Sequence, residues 1–300
     1  MKSMEHVKID GKKISEEVLK TIKKEVLTLS RKPKLAIVQV GSRKDSQTYI
    51  KMKNRAAKRV GIESKLVHFE DDINTTNYQE IEQKIIDSII ELNNDLTVDG
   101  IIVQLPLPDL LDEMKILKHI NLNKDVDSLH PLNLANLALS FNSDCKPTFL
   151  PCTPRGCMHL LDSLDVDLVG KSAVVIGRST MVGMPMLFLL MKKRMNVVSC
   201  DKFTVGTKEL CKKADLIISA AGKAHLVTED WVKPGAIVID VGINFIPDAT
   251  RKSGRRLVGD VDYNAVLSKV SHITPVPGGV GPMTVAMLLR NTLDACKGRL

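Results

Sequence analysis

Aromatic residues are scarce in this chain. Phe, Trp and Tyr make up 3% of the 300 residues, with a single Trp, so aliphatic side chains must fill the interior, as is typical of buried parallel strands. Hydrophobic residues amount to 44% and charged residues to 26%. This composition excludes an intrinsically disordered chain, and the length is sufficient for two ordinary domains that each bury a core.

Metal-binding cysteine spacing, a membrane-spanning segment and a secretory leader are also missing. The six cysteines, at positions 145, 152, 157, 200, 211 and 296, form no Cys-x-x-Cys pair and no Cys/His cluster, so we expect reduced thiols and no metal site. No apolar run approaches the roughly 20 residues that a membrane span needs, and the N-terminus lacks the apolar core of a signal peptide. These features predict a cytoplasmic protein without membrane contact.

Positive charge is in excess, with a formal net charge of +8 at pH 7. Nucleic acid, an anionic small molecule or a phosphorylated cofactor would each be compatible with it. The sequence contains no recognisable nucleic-acid-binding module and no Lys/Arg run interleaved with aromatic residues. Small anions are therefore the preferred interpretation, and nucleic acid is not expected as a partner.

The first half of the chain alternates between short apolar runs and amphipathic segments. Strands are predicted at Leu35–Val40, Leu66–Phe69 and Gly100–Gln104. Helices are predicted over 46–60 and 77–92, the first ending at Gly61 and the second opened by a capping box at Thr76 and Gln79. This βαβαβ order predicts a parallel sheet with right-handed crossovers.

A second run of the same kind follows an irregular stretch from about 121 to 156. Long loops of this kind usually carry function or join domains. Strands are predicted at 172–176, 196–199, 215–219 and 236–240, and helices over 185–193 and 283–296. The predicted fold class is therefore α/β, with two open parallel-sheet domains.

A glycine-bearing turn, Gly177–Gly183, joins a predicted strand to the helix that follows it. Such a turn exposes backbone N–H groups where a pyrophosphate can bind. Ser179 stands where the usual dinucleotide motif has its middle glycine, so an ordinary strand-to-helix turn is the alternative. Arg178 favours the dinucleotide, because it supplies the permanent, bidentate positive charge that a cofactor 2′-phosphate needs.

Asp201 and Lys202 follow about 20 residues downstream, where such folds read the ribose. Lys202 would favour NADP, whereas Asp201 would favour the free 2′-hydroxyl of NAD. Both residues are alternatively part of a solvated loop. Because Arg178 is present, we predict NADP, with NAD as the alternative.

Tyr49 and Lys53 are four positions apart on a predicted helix, so they share one face. Ligands of open α/β sheets bind at the C-terminal edge of the sheet, toward which this face can point. From the spacing alone, a lysine that extends along the surface beside a half-buried tyrosine is the more common arrangement.

Six motifs combine these residues with others. They are Ser46-x-x-Tyr49-x-x-x-Lys53, Gln104-Leu-Pro-Leu-Pro108, Lys124-Asp-Val-Asp127, Pro151-Cys-Thr-Pro-Arg-Gly156, Gly177-Arg-Ser179 and Thr274-Pro-Val-Pro-Gly-Gly-Val-Gly-Pro-Met-Thr284. Together they resemble the methylenetetrahydrofolate dehydrogenase/cyclohydrolase family, over residues 10–292.

The resemblance implies two linked reactions of one-carbon metabolism. Hydride leaves the one-carbon bridge of 5,10-methylenetetrahydrofolate for the nicotinamide, and water then attacks the methenyl cation, which opens to 10-formyltetrahydrofolate. Lys53 would be the general base for this water, and Gln104 would orient Lys53 or bind the folate. Tyr49 would stack on the pterin, and Asp127 would accept hydrogen bonds from its edge.

Further contacts are implied in the same way. Folate contacts are expected from Val103, Leu105, Pro277, Gly278, Gly279, Val280 and Gly281, the last five forming a loop whose glycines let backbone approach the ligand. Cofactor contacts are expected from Gly177, Arg178, Ser179, Asp201, Lys202 and Ile243, with Ile243 near the nicotinamide. Cys152 and His130 are interpreted as pocket-lining and loop-packing residues, not as catalysts.

Two positions depart from the family pattern. The family usually has Gly where this chain has Ser128, and a positive-φ turn there would strain the serine by about 1 kcal/mol or more. Many relatives have His-Ser in place of Asp201-Lys202. An Asp at this position would repel a 2′-phosphate, while Lys202 would attract it.

The resemblance also implies an architecture. We expect a folate-binding catalytic domain over 1–150, a Rossmann-like dinucleotide-binding domain over 151–282, and a C-terminal helix within 283–300 that packs back on the first domain. A homodimer and polyglutamylated folates are expected. The alternatives are a non-catalytic folate- and dinucleotide-binding relative and an NAD-dependent dehydrogenase without cyclohydrolase activity. The sequence also leaves open whether the chain leads a longer protein with a formate–tetrahydrofolate ligase.

Overall fold

The computed structural model describes residues 7–70, 73–140, 146–251 and 254–298. Its strands in chain order are β1 Val7–Lys8, β2 Lys34–Val40, β3 Glu63–Phe69, β4 Gly100–Val103, β5 Ser172–Ile176, β6 Asn196–Cys200, β7 Leu216–Ser219, β8 Ile237–Asp240, β9 Asn244–Pro247, β10 Arg255–Val258 and β11 His272–Ile273. Its α-helices are α1 Gly11–Val26, α2 Lys44–Val60, α3 Tyr78–Asn94, α4 Glu113–Leu117, α5 Pro131–Leu139, α6 Cys152–Asp162, α7 Gly183–Lys192, α8 Thr207–Cys211, α9 Tyr263–Leu267 and α10 Val280–Lys297. Within these ranges, no helix combines the length and the apolar character needed to cross a membrane.

The chain divides into two compact units. The three-stranded unit is Glu16–Cys152 with residues 285–298, so the C-terminal part of α10 belongs with it. The six-stranded unit is residues 7–15 with Thr153–Thr284. Residues 7–15 thus differ from the expected assignment to the N-terminal domain, because β1 pairs with β11 in the sheet of the six-stranded unit.

The three-stranded unit contains the predicted βαβαβ arrangement. Its sheet has the order β3-β2-β4, and both strand pairs are parallel. The central strand β2 and the strand β4 are buried almost throughout, whereas β3 is an edge strand with mostly exposed side chains. Aliphatic residues such as Val38, Ile85, Ile89 and Ile101 form the core, which agrees with the scarcity of aromatic residues.

The six-stranded unit confirms the second predicted sheet. Its strand order is β1-β11-β8-β7-β5-β6, and all neighbours are parallel. The chain runs from β5 to β6 at one edge and then returns to the other side of β5 with β7. Ligands of open parallel sheets bind at such a reversal, outside the carboxyl ends of the strands. A separate antiparallel pair, β9 and β10, completes the unit.

Local patterns predict the helices incompletely. Gly61 ends α2 with a left-handed φ of 87°, as predicted. The predicted capping box of α3 is wrong, because the hydroxyl of Thr76 hydrogen-bonds to the side chain of Asn74 instead of capping the helix. Neither α1 nor α5 follows from the patterns above, and α5 lies in the stretch that was expected to be irregular.

The described cysteines are free and buried, as expected for reduced thiols. They are Cys152, Cys157, Cys200, Cys211 and Cys296, while Cys145 lies outside the described residues. Burial raises the pKa of Cys157 and of Cys211 to about 12. Both thiols therefore stay protonated at neutral pH, which indicates packing and not reactivity.

Lys124 holds the C-terminal end of α3. Its side chain is buried, and Nζ donates to the carbonyl oxygens of Leu92, Asn93 and Asp95 at 2.9, 2.8 and 2.7 Å. The last carbonyl groups of a helix lack intrahelical partners, and a cation is favoured there by the helix dipole. The lysine of the Lys-Asp-Val-Asp motif therefore has a structural role.

Replacing Lys124 by Met keeps much of the aliphatic stem but leaves these carbonyl groups without their donor. We expect Lys124→Met to lower the free energy of unfolding by about 3 kcal/mol, because a hydrogen bond to a charged group contributes roughly 1.5–3 kcal/mol and such losses are not additive. Urea denaturation measures the change. Lys20→Met at an exposed position of α1 should cost less than about 0.5 kcal/mol, and equal losses in both variants would contradict the assigned role.

Candidate active site

Lys53 on α2 contacts Gln104, which directly follows β4. Nζ of Lys53 donates to Oε1 of Gln104 at 3.0 Å, and Nε2 of Gln104 donates to the carbonyl oxygen of Leu105 at 2.8 Å. The amide is therefore oriented with its oxygen toward the lysine. Lys53 is 8% exposed, so it is not the surface-extended lysine that the spacing alone favours.

Tyr49 lies one helical turn before Lys53 and is half-buried. Burial, together with the negative charge of Asp45, raises the pKa of the Tyr49 phenol. The hydroxyl therefore stays protonated and able to donate a hydrogen bond, while the ring offers a flat apolar face. Tyr49, Lys53 and Gln104 thus belong to one region of the three-stranded unit.

Asp127 is half-buried, and the turn that carries it is held by the other acid of the motif. The carboxylate of Asp125 accepts hydrogen bonds from the backbone N–H groups of Leu129 and His130, at 3.1 and 2.9 Å, and from Nδ2 of Asn133 at 2.7 Å. Burial raises the pKa of Asp125. Asp125 is therefore structural, and Asp127 is the member of the pair that remains available for a ligand.

Ser128 has a left-handed φ of 59°. This is the conformation expected at a position where the family usually has glycine. Its side chain is buried, and Oγ donates to the carbonyl oxygen of Phe149 at 2.7 Å. The hydrogen bond offsets part of the backbone strain, which is about 1 kcal/mol. A glycine would remove the strain and would lose the hydrogen bond as well.

Cys152 and His130 have structural partners. Sγ of Cys152 donates to the carbonyl oxygen of Val126 at 3.2 Å. His130 is the N-cap of α5, where Nδ1 accepts from the backbone N–H of Leu132 at 3.1 Å and Nε2 donates to the carbonyl oxygen of Lys118 at 3.1 Å. These contacts agree with the interpretation of both residues as non-catalytic.

The loop from Pro277 to Gly281 belongs to the six-stranded unit. Gly278 has a left-handed φ of 104°, a conformation that favours glycine. Its carbonyl oxygen accepts a hydrogen bond from the backbone N–H of Lys12 at 2.9 Å. A Cβ on Gly11 would lie 1.9 Å from the carbonyl oxygen of Gly279. The close backbone approach seen here is thus with the start of α1, while contacts of this loop with folate stay a prediction.

Val103 and Leu105 flank Gln104 and pack inward. Val103 is 1% exposed and belongs to the core of the three-stranded unit, and Leu105 packs against the same core. Their predicted folate contacts therefore stay predictions. Val280 is also buried, at the start of α10, whereas nothing lies within 4 Å of the Cβ position of Gly281.

The Gly177–Gly183 turn requires both of its glycines. Gly177 has φ of 114°, and a Cβ there would lie 2.2 Å from the carbonyl oxygen of Ala220. A Cβ on Gly183 would lie 2.0 Å from the carbonyl oxygen of Gly177. Oγ of Ser179 accepts a hydrogen bond from the backbone N–H of Val182 at 3.2 Å, which closes the turn.

A cavity of about 660 Å³ opens beside this turn, at the carboxyl ends of β5, β6 and β7. Four cationic side chains line it, two of which are paired with carboxylates, Arg178 with Asp201 and Lys208 with Asp230, while the other two are Lys202 and Lys223. Sequence reasoning missed Lys208, Lys223 and Trp231, because separate loops bring them here and no short motif connects them. The charge excess and the size suit an anionic nucleotide.

Arg178 and Asp201 contact each other in this cavity. Nη1 of Arg178 lies 3.1 Å from Oδ2 of Asp201, and Nη2 donates to the carbonyl oxygen of Ser199 at 2.8 Å. Burial opposes ionisation of Asp201, but hydrogen bonds from Thr204 and Phe203 and the charge of Arg178 outweigh it and lower the pKa of Asp201. The carboxylate is therefore charged and partly neutralises the arginine.

Lys202 and Ile243 complete the predicted cofactor residues. Nζ of Lys202 lies 4.9 Å from the ring centroid of Phe203, a cation–π contact, and the lysine lines the cavity. Ile243 is 46% exposed and follows the end of β8. Both side chains remain available to a ligand of the six-stranded unit.

Comparison with known proteins assigns the two regions. Residues 9–127 match the catalytic domain of the tetrahydrofolate dehydrogenase/cyclohydrolase family, and residues 151–300 match its NAD(P)-binding domain. The chain belongs to this family. The family resemblance inferred from the six motifs is therefore confirmed.

Relatives match along nearly the whole chain. Bifunctional protein FolD 2 of Arabidopsis thaliana is 47% identical over 293 residues, which are 96% of this chain and 95% of the plant protein. The crystal structure of the bifunctional enzyme FolD from Campylobacter jejuni is 42% identical, with a TM-score of 0.90 over 99% of this chain and 100% of that chain. The Trypanosoma brucei FolD structure, a complex with NADP cofactor and inhibitor, is 36% identical, with a TM-score of 0.91 over 98% of each chain.

The hydroxyl of Ser128 can be tested against the glycine of the family pattern. We expect Ser128→Ala to lower the free energy of unfolding by about 1–2 kcal/mol, because the carbonyl group of Phe149 loses its donor while the left-handed strain remains. Ser128→Gly should change it by less than about 1 kcal/mol, since relief of strain offsets the lost hydrogen bond. Thermal and urea denaturation measure both variants. An alanine variant as stable as the wild type would refute the role of the hydroxyl.

Proposed function

We propose that this chain oxidises 5,10-methylenetetrahydrofolate with NADP and hydrolyses the methenyl product to 10-formyltetrahydrofolate. The observation that carries the proposal is the buried Lys53, whose Nζ donates to Gln104, in a chain that matches both domains of the family over residues 9–127 and 151–300. A lysine is a residue type that can serve as general base for the attacking water, as the hydrolytic step requires.

The residues of the three-stranded unit support the hydrolytic half of the reaction. The cofactor accepts hydride from the one-carbon bridge of the folate when it is bound. Lys53 would take one proton from the water as its oxygen bonds to the methenyl carbon. One carbon–nitrogen bond then breaks as the hydroxyl group becomes the formyl C=O, and the second proton of the water passes to the leaving nitrogen, which becomes N–H. Gln104 holds Lys53 in place, Tyr49 offers its ring to the pterin, and Asp127 offers its carboxylate to the pterin N–H groups.

The cavity of the six-stranded unit fits the phosphorylated adenosine half of NADP. Its size is in the range of nucleotide sites, and the two glycines of the turn let the backbone beside it pack closely on neighbouring backbone. The guanidinium of Arg178 and the ammonium of Lys202 would hold the 2′-phosphate. NAD is a second candidate, because the charged Asp201 can accept a hydrogen bond from a free 2′-hydroxyl.

We also propose a homodimer of cytosolic location that acts on folates with γ-linked glutamate tails. The net charge of +8 supports binding of this polyanionic tail, because a positive protein attracts it. Homodimer formation rests on the family to which the chain belongs. The folate-binding domain is assigned to the three-stranded unit, and the dinucleotide-binding domain to the six-stranded unit.

Initial rates of folate oxidation with NADP and with NAD test the cofactor. We expect turnover with NADP to exceed that with NAD, and Asp201→Asn to raise the ratio of the two kcat/KM values by about tenfold, because it removes roughly 1.4 kcal/mol of repulsion from the 2′-phosphate. Asp165→Asn, an exposed position of the same unit, is the control. A wild-type preference for NAD would make Asp201 the ribose-binding residue and overturn the NADP proposal.

Lys53→Met tests the general base. We expect cyclohydrolase activity, followed as the decay of methenyl absorbance without NADP, to fall by a factor of about 100 or more, the usual contribution of general-base catalysis. Lys51→Met, an exposed lysine on the same helix, should leave the rate unchanged.

Gln104→Glu gives an independent check. The new carboxylate would hold Lys53 in its charged form, so the pH profile of the cyclohydrolase should move to higher pH. Retention of wild-type rates by Lys53→Met would exclude Lys53 as the base.

A further inference from the structure

Two buried carboxylates of the six-stranded unit lie where strands end, one at the end of a strand of the parallel sheet and one after a strand of the separate antiparallel pair. Asp240 is the last residue of β8 and is 3% exposed, and Asp260 follows β10 and is fully buried. Burying a carboxylate is costly unless hydrogen bonds compensate it. The groups that these two acids bind therefore indicate their role.

Asp260 binds the loop that follows β7. Oδ2 accepts from the backbone N–H groups of Ala221 and Gly222 at 2.6 and 3.2 Å, and Oδ1 accepts from the backbone N–H of Lys223 at 3.0 Å. Three successive N–H groups form a concavity for an anion, which here is the carboxylate. Ala221 and Lys223 also line the cavity of the six-stranded unit. Asp260 therefore fixes one wall of that cavity.

The same carboxylate binds the segment that follows β8. Nδ2 of Asn244 donates to Oδ1 of Asp260 at 2.9 Å. Asp240 Oδ1 accepts from the backbone N–H groups of Gly242 and Asp260, at 2.9 and 3.0 Å. Both neighbours of Ile243 are thus fixed, while Ile243 itself remains 46% exposed.

Two glycines place the backbone directly against these carboxylates. A Cβ on Gly242 would lie 2.2 Å from Oδ1 of Asp260, and a Cβ on Gly259 would lie 1.8 Å from Oδ2 of Asp240. Close-packed groups transmit a displacement to their neighbours instead of absorbing it. The loop 221–223 and the segment 242–244 are therefore connected through Asp260 with little freedom between them.

We propose that Asp260 is a positioning residue for the dinucleotide and that Asn244 connects it to Ile243. The inference rests on the proposed function, in which the cavity takes the adenosine half and Ile243 lies near the nicotinamide. The carboxylate of Asp260 then fixes loop 221–223, which would contact the cofactor, relative to segment 242–244, which would lie beside the nicotinamide. Small errors in such positioning lower reaction rates strongly.

Asn244→Ala tests the connection to Ile243, because it removes one donor and leaves the other partners of Asp260 in place. We expect the single-turnover rate of NADPH formation to fall by about tenfold, while the dissociation constant of NADP, measured by calorimetry, changes less than about threefold. Cyclohydrolase activity without NADP should be unchanged. Asn264→Ala, an exposed asparagine of the same unit, is the matched control and should change none of these quantities.

Asp260→Asn tests the cavity wall. The amide replaces an acceptor by a donor that faces backbone N–H groups, so the loop loses partners. We expect the dissociation constant of NADP to rise at least about tenfold, and the amides of 221–223 to lose protection from hydrogen exchange. In Asn244→Ala the same amides should keep their protection. This difference separates positioning from a general loss of structure.

The outcomes separate the inference from the proposed function. A wild-type enzyme that forms no NADPH would refute the proposed function, while NADP binding and amide protection would still test Asp260. Parallel loss of both activities in Asn244→Ala, or wild-type rates in that variant, would overturn the positioning role. So would an unchanged NADP dissociation constant in Asp260→Asn. If Asp260→Asn does not fold, Asn244→Ala decides alone.

Discussion

Backbone groups of the loops that leave the parallel strands must find hydrogen-bond partners, and buried charged side chains supply them throughout this protein. Asp125 binds the turn that carries Asp127, Lys124 binds the last carbonyl groups of α3, and Asp260 binds the loop after β7. A buried loop with unpaired backbone groups would cost more than folding can offset. The functional side chains are therefore placed by residues that perform no chemistry themselves.

This constraint also explains why motif residues divide into two kinds. In the Lys124-Asp-Val-Asp127 motif, Lys124 and Asp125 bind backbone groups of neighbouring segments, whereas Asp127 is half-buried and carries the carboxylate proposed to bind the ligand. Beside Lys53, the two ends of the Gln104 amide likewise have separate roles. Gln104 uses its amide N–H on its neighbour's carbonyl group, which leaves the oxygen for the lysine. Contacts to the backbone thus fix the orientation of the groups to which the proposed function assigns chemistry.

The sheets and the main site motifs could be predicted from the sequence because they are local. Apolar runs predict most strands of both sheets. The site residues Gly177, Arg178 and Lys53 can be predicted because they lie in short motifs. Residues that act across long separations could not be found in this way. Asp260 meets loop 221–223 almost forty positions earlier in the chain, and no periodicity connects them. The helix α5 was missed because its Asn residues and its first Pro resemble a loop, although Pro131 and His130 form a regular N-terminus.

The two departures from the family pattern each come with a local compensation. Ser128 keeps the left-handed turn that a glycine would adopt, and its hydroxyl binds a carbonyl group in return. Asp201 introduces a negative charge beside Arg178, the residue proposed to bind the 2′-phosphate, but Arg178 pairs with it and Lys202 adds a further cation to the same cavity. In both cases the geometry needed by a ligand is retained. Burial of Lys53 and of the amide of Gln104 costs stability that their hydrogen bond offsets only in part. A protein that only bound its ligands would have no need of this arrangement, so its presence favours the proposed catalysis.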